Sequence, residues 1–154
     1  MIGYAGEKGT KSRARARREH LDEVFSAQIL ASVFLEGGTF PVPEDLKTIC
    51  RVRLGEGGVL RGLWILGEKL QCGLSVQIRT IPLRQEDVEI CEYLGEDLYR
   101  IDAGGGWLIA VRHAEEALRI LQRKGIPAAV IGTTTSGTAR TLWMGDVPRY
   151  LEGP

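Results

Sequence analysis

Apolar positions along the chain fall into runs that glycine and proline punctuate, and the spacing within the runs predicts an alternation of helices and strands. Ser12 is placed to cap a helix over residues 13–36, with Gly37 and Gly38 as its stop. Leu21, Val24, Phe25 and Gln28 give that helix one stripe, whereas residues 29–35 are apolar on nearly every side. Pro41 and Pro43 then end the segment in an extended turn. Residues 48–54 read best as a strand and residues 59–71 as a helix stopped by Gly73. Leu74, Val76 and Ile78 alternate with Ser75, Gln77 and Arg79, the period of a half-buried strand. Residues 85–94 predict a short helix on Val88, Cys91 and Leu94, and residues 99–101 a very short strand. Residues 107–111 and 128–131 predict buried strands, separated by an amphipathic helix over residues 114–124 that turns Ala117, Leu118 and Leu121 inward. Residues 138–144 alternate and are followed by Gly145-Asp146, a favoured hairpin dipeptide, so the last residues, 149–154, are expected as an edge strand. This mixed order predicts an α+β fold, a mixed β-sheet with packed helices.

Composition narrows the function classes. The 154 residues carry 20 Lys and Arg against 20 Asp and Glu, a formal charge of zero, which argues against a protein built to grip nucleic acid. The basic run from Lys8 to Arg18 reads first as a solvated helix face. No apolar run approaches the roughly 20 residues that span a bilayer, and the first residues lack a signal-peptide pattern, so no membrane partner is expected and the cytoplasm is the default location. Cys50, Cys72 and Cys91 are far apart and odd in number, and His20 and His113 stand alone, so they read as thiols and surface imidazoles rather than as a metal site or catalytic set.

Two glycine-rich turns, each opening into an apolar run, carry what chemistry the sequence offers. Gly55, Glu56, Gly57 and Gly58 precede the predicted helix, and Gly104, Gly105 and Gly106 precede the strand at Trp107. A glycine turn at a helix start lets backbone N–H groups approach an anion. The same turn is equally the way a chain passes tightly from strand to helix, and both readings stand. The candidate ligand-binding residues are therefore Arg53, Gly55, Glu56, Gly57, Gly58, Gly104 and Gly105, with Arg53 either pairing with the anion or lying on the surface. Gly57→Val is expected to block backbone approach more than it harms folding. Trp64 and Trp107 read as core.

Several runs resemble, in order, the C-terminal domain of the AIR synthase-related superfamily: Glu56-Gly57-Gly58-Val59-Leu60 with Gly62-Leu63-Trp64, then Ile81-Pro82-Leu83-Arg84, Ile90-Cys91-Glu92, Gly106-Trp107-Leu108-Ile109-Ala110-Val111, and the stretch Gly125 to Gly132. The hydrogenase maturation factor-like branch is the nearest in pattern. The resemblance implies an AIR synthase C-terminal-domain-like fold over residues 41–154, preceded over residues 1–40 by an arm and linker helix. It further implies a solitary C-terminal domain whose ATP and magnesium belong to a separate N-terminal domain, with no cofactor in this chain. Where relatives carry an Asp before the turn this chain has Arg53-Leu54-Gly55, and it lacks their Ser-Ser-Gly before the second strand and their reactive cysteine tail. The expected function is a module, not catalytic alone, that binds a phosphorylated ligand or a protein. The alternative is a structural or regulatory homodimer without a small-molecule site. The expected partner is a second copy, suggested by the all-round apolar helix at 29–35, or a separate ATP-binding half, and the chain alone is expected not to hydrolyse ATP.

Overall fold

A computed structural model describes residues 27–32, 42–83, 85–101 and 105–153. These form a seven-stranded sheet with three helices among the described residues. In chain order the elements are β1 (Gln28–Ser32), β2 (Cys50–Arg53), α1 (Gly58–Leu70), β3 (Gly73–Gln77), a 3-10 turn (Ile78–Thr80), α2 (Gln85–Leu94), β4 (Trp107–Val111), α3 (Ala114–Arg123), β5 (Ala129–Thr135), β6 (Arg140–Met144) and β7 (Val147–Tyr150). Across the sheet the order is β2-β4-β1-β5-β3-β6-β7. Every pairing is antiparallel except β3 with β6, so the sheet is mixed, and the α+β expectation holds.

The first strand corrects the reading of residues 13–36 as one helix. Gln28–Ser32 is a strand flanked by β4 and β5, and the remainder of that expected helix lies outside the described residues. The reason is burial on both faces. Ile29 and Ala31 enter the core beneath α1, while Leu30 enters the one beneath α3. A strand covered on both sides loses its apolar–polar alternation and reads as a continuous apolar run, which periodicity alone does not separate from a buried helix. The all-round apolar surface that suggested a homodimer is therefore satisfied within one chain at residues 29–32. Both ends of β1 are pinned: the Ala27 amide donates to Thr134 Oγ1 at 3.0 Å, and the Ser32 hydroxyl donates to the Pro127 carbonyl at 2.6 Å. The boundary expected at residue 40 thus has a sheet strand on its N-terminal side.

The two cores follow from alternation on the neighbouring strands. Val52, Leu54, Leu108, Ala110, Val76 and Ile131 meet Val59, Leu63, Leu66 and Leu70 of α1. Ile109, Val111 and Leu30 meet Ala117, Ile120 and Leu121 of α3, with Leu46 and Ile126 closing the ends. Residues 99–101, expected as a short strand, form a turn instead. The hairpin across Gly145-Asp146 forms as expected, and β7 is an exposed edge. No helix among the described residues is long and apolar enough to cross a membrane.

Because adjacent residues of β1 face different cores, Ile29→Ala and Leu30→Ala should each destabilise the chain by roughly 2–5 kcal/mol in a denaturant titration. A near-neutral result at either position would mean that one face of β1 is uncovered in solution.

Candidate functional site

Backbone pairing brings the two glycine turns together. The Leu54 amide donates to the Gly106 carbonyl at 2.8 Å, so the exit of β2 and the entry of β4 lie side by side at one end of the sheet. Gly57 and Gly58 have φ of 85° and 67°, a left-handed pair that reverses the chain from β2 into α1. The turn rests on a third segment that the sequence reading did not connect to it. Asp97 builds that segment: its side chain accepts from the Tyr99 amide at 3.0 Å, its carbonyl accepts from the Arg100 amide at 2.9 Å, and its carboxylate lies 3.3 Å from Arg100 Nε. The Tyr99 carbonyl then accepts from the Leu60 amide at 3.0 Å, capping the first turn of α1.

This close approach explains Gly58. A Cβ there would stand 2.5 Å from the Ile101 carbonyl oxygen and 2.6 Å from that of Tyr99. Its amide donates to the Gly55 carbonyl at 3.0 Å, so Gly58 serves the turn itself. Among the described residues no partner takes the amides of Glu56, Gly57 and Val59. Gly57 also corrects the expectation for its valine variant: a Cβ there would stand 2.8 Å from Arg61 Cβ at a φ of 85°, so Gly57→Val strains the fold as well as the approach.

The remaining predicted residues are divided by the sheet. Arg53 pairs with Trp107, and the alternation of β2, in which Val52 and Leu54 face α1, sends Arg53 to the opposite face. It is exposed and does not line the clefts beside the turn. Gly55 and Glu56 lie at the open rim, Gly105 is buried with a φ of 100°, and Gly104 lies outside the described residues.

Two adjoining clefts open at the N-terminal end of α1. One, of about 190 Å³, is lined by Gly57, Arg61, Trp64, Arg100 and Gly153 among others. The other, of about 450 Å³, is lined by Tyr99, Arg100, Met144, Arg149 and Tyr150 among others, and the two share Leu60, Arg100, Leu151 and Glu152. Arg61, Arg100 and Arg149 are the functional candidates that sequence reasoning missed: Arg61 was within reach of it, one helical turn after Gly57, whereas Arg100 and Arg149 are ordinary exposed cations until the fold gathers them. Trp64 is a half-buried wall of the smaller cleft rather than core. Arg140 lies over its ring at 4.4 Å from the centroid, with Nη1 2.8 Å from Glu68 Oε1 but outside hydrogen-bonding alignment. The Leu151 amide donates to the Arg140 carbonyl at 2.8 Å and draws the last residues across Trp64. Burial, reinforced by the Asp97 charge and only opposed by Arg79, pushes the Tyr99 phenol up, so it remains neutral and can act as a hydrogen-bond donor at the cleft wall.

The three cysteines are free thiols; burial raises Cys72 and Cys50, against the lowering charges of Arg140 and Lys69 respectively, and neither is primed as a nucleophile. His113 is exposed at the start of α3. Among the described residues no group of three or more His, Cys, Asp or Glu is arranged to hold a metal ion.

The model of the family described as AIR synthase related protein, C-terminal domain, matches residues 53–144. No curated protein matches the chain. Among solved structures, the hydrogenase maturation protein HypE of E. coli superposes with a TM-score of 0.72 at 21% identity, over 84% of this chain and 50% of its own. HypE in its complex with HypF gives 0.67 at 17% identity, over 84% and 53%. PurL of T. maritima complexed with ATP gives 0.60 at 15% identity, over 80% and 24%. The chain thus spans about half the length of the HypE chains it matches. At these identities the likeness is one of fold.

The contrast between neighbouring glycines is testable by thermal or denaturant unfolding. Gly58→Ala should cost roughly 2–4 kcal/mol through strain and carbonyl clash. Gly55→Ala, whose added Cβ meets nothing within 4 Å, should stay within about 0.5 kcal/mol of the parent.

Proposed function

We propose that this chain, which belongs to the family of AIR synthase-related C-terminal domains, is a module that holds the phosphorylated end of a ligand at the 55–58 turn and acts with a separate ATP-binding half. One observation carries the reading. Gly57 of the left-handed turn, Leu60 and Arg61 in the first turn of α1, and Arg100 border a single cleft, which Glu152 also lines. A helix start carries about half a positive charge, and the open amides of Glu56 and Gly57 add donors to it. The adjoining cleft of about 450 Å³, walled by Leu60, Leu142, Met144 and Tyr150, has room for the less polar body of the same ligand.

The division of labour follows from the residues present. Phosphoryl transfer rests on metal and positive charge placed around the phosphates, and that metal seat belongs, in this reading, to the partner half. ATP and magnesium are assigned in this reading to the partner, as an analogy of fold only: PurL is known in complex with ATP and HypE in complex with HypF. The chain's own contribution is to bind and orient an anion, and catalysis waits on the other half.

Titrating the full chain with inorganic phosphate, and separately with ATP, while following backbone amide signals, tests the proposal. The amides of Glu56, Gly57 and Val59 should move, and Arg61→Ala and Arg100→Ala should each weaken binding by about 1 kcal/mol, roughly fivefold. Arg53→Ala should leave it unchanged, because that side chain departs on the other face. An absence of any shift in residues 53–60 overturns the ligand reading.

A further inference from the structure

A third cavity opens on the α3 side of the sheet, at the far end of β2 and β4 from the glycine turns. It measures about 420 Å³, and its walls are residues 45–49, which lead into β2, and residues 112–120, which run into α3. Both walls hang from β4. The Ile49 amide donates to the Ala110 carbonyl at 2.8 Å, and Arg112 follows Val111, the last residue of that strand. The Leu46 amide donates to the Pro43 carbonyl at 3.1 Å and shapes the first wall. The first bond of α3, from the Ala117 amide to the His113 carbonyl at 3.0 Å, shapes the second. The hollow is therefore set by anchored backbone on both sides, as a preformed ligand pocket is.

The lining is divided by polarity. Leu46, Ala117 and Ile120 belong to the core beneath α3 and form the floor, together with the half-buried Ile49. The mouth carries Asp45 and Lys47 on one wall and Arg112 and Glu116 on the other, all four exposed. Each wall thus offers one cation and one carboxylate. None of the four forms an ion pair among the described residues, so opposite charges are gathered at one mouth and left apart. Thr48 Oγ1 accepts from Arg51 Nε at 3.0 Å, which leaves the hydroxyl's own hydrogen free for a ligand. His113, to which the sequence gave no role, makes no side-chain cap bond to α3 and adds an imidazole to the mouth. A net anion or a net cation would be drawn by two of these charges and repelled by the other two. A molecule with a carboxylate and an ammonium on one carbon meets both signs at once, and an apolar side chain on that carbon covers the floor. We propose that the cavity between residues 45–49 and α3 binds a free α-amino acid with an aliphatic side chain, its carboxylate toward the Arg112 wall cation and its ammonium toward Glu116. The volume lies at the small end of the roughly 300–1,000 Å³ of ligand pockets, as suits so small a molecule. The site is at the opposite end of β4 from the proposed anion cleft, and neither reading depends on the other.

Titration of the full chain with three matched probes, followed on backbone amide signals, tests the assignment. L-leucine carries both charges, 4-methylpentanoate lacks the ammonium, and 3-methylbutylamine lacks the carboxylate. Leucine should shift residues 45–49 and 112–120 saturably and leave residues 55–58 in place. It should bind at least about tenfold more tightly than either analogue, the factor that one charge-assisted contact supplies. Arg112→Gln should weaken leucine and 4-methylpentanoate by about fivefold or more and leave 3-methylbutylamine unchanged. Glu116→Gln should weaken leucine and 3-methylbutylamine and spare 4-methylpentanoate. Both side chains are exposed, so neither variant should move the unfolding midpoint. No saturable shift in the two walls, equal binding of the three probes, or a loss of all three alike in either variant would each overturn the proposal.

Discussion

The architecture depends on one strand being covered on both faces. β1 lies between β4 and β5, Ile29 and Ala31 join the core under α1, and Leu30 joins the core under α3. Take that strand away and the sheet separates into a β2-β4 pair and the β5-β3-β6-β7 remainder. Both helical layers then lose the surface they share. Burial of large aliphatic groups at roughly 1.5–3 kcal/mol each makes this the structural keystone rather than a peripheral addition. The hydroxyls of Ser32 and Thr134 fix its ends, so the strand is held in register as well as buried.

What the sequence made legible follows the same physics. α1, α2, α3 and β4 were readable because each has a face to water or a glycine stop that punctuates it. β1 was misread because covering both faces erased its period, and because apolar runs of seven residues suit a helix interior equally well. Residues 99–101 were read as strand from tyrosine and isoleucine, yet Asp97 commits them to a turn by accepting from the Tyr99 amide. Local polar chemistry outweighed a weak propensity there.

The candidate site was half readable for a related reason. Glycine turns announce themselves by composition, and Gly57 and Gly58 do adopt left-handed backbone. Their surroundings are largely tertiary: Gly58 is small because the carbonyls of residues 99 and 101 approach it, and Arg100 becomes a neighbour of the turn only in the fold, whereas Arg61 is a local i, i+4 neighbour of Gly57. Arg53 illustrates the opposite error. It is two residues from Gly55 in sequence, but the pleat of β2 carries its side chain through to the far side of the sheet. Proximity along a strand tells little about proximity in space when the face is not known.

The central strand also sets an order of events. β1 pairs with β4 and β5, so Gln28 meets Val111 and Thr133, partners more than 80 positions later in the chain. A strand made early and matched late waits as exposed apolar backbone during synthesis, while the local β6-β7 hairpin closes within a few residues. Such long-range closure is slow, and an unpaired apolar strand is open to wrong partners in the interval. The nascent chain therefore becomes self-sufficient only after residue 135 clears the exit tunnel, and the yield of folded protein should be governed by how well residues 28–32 are shielded until then.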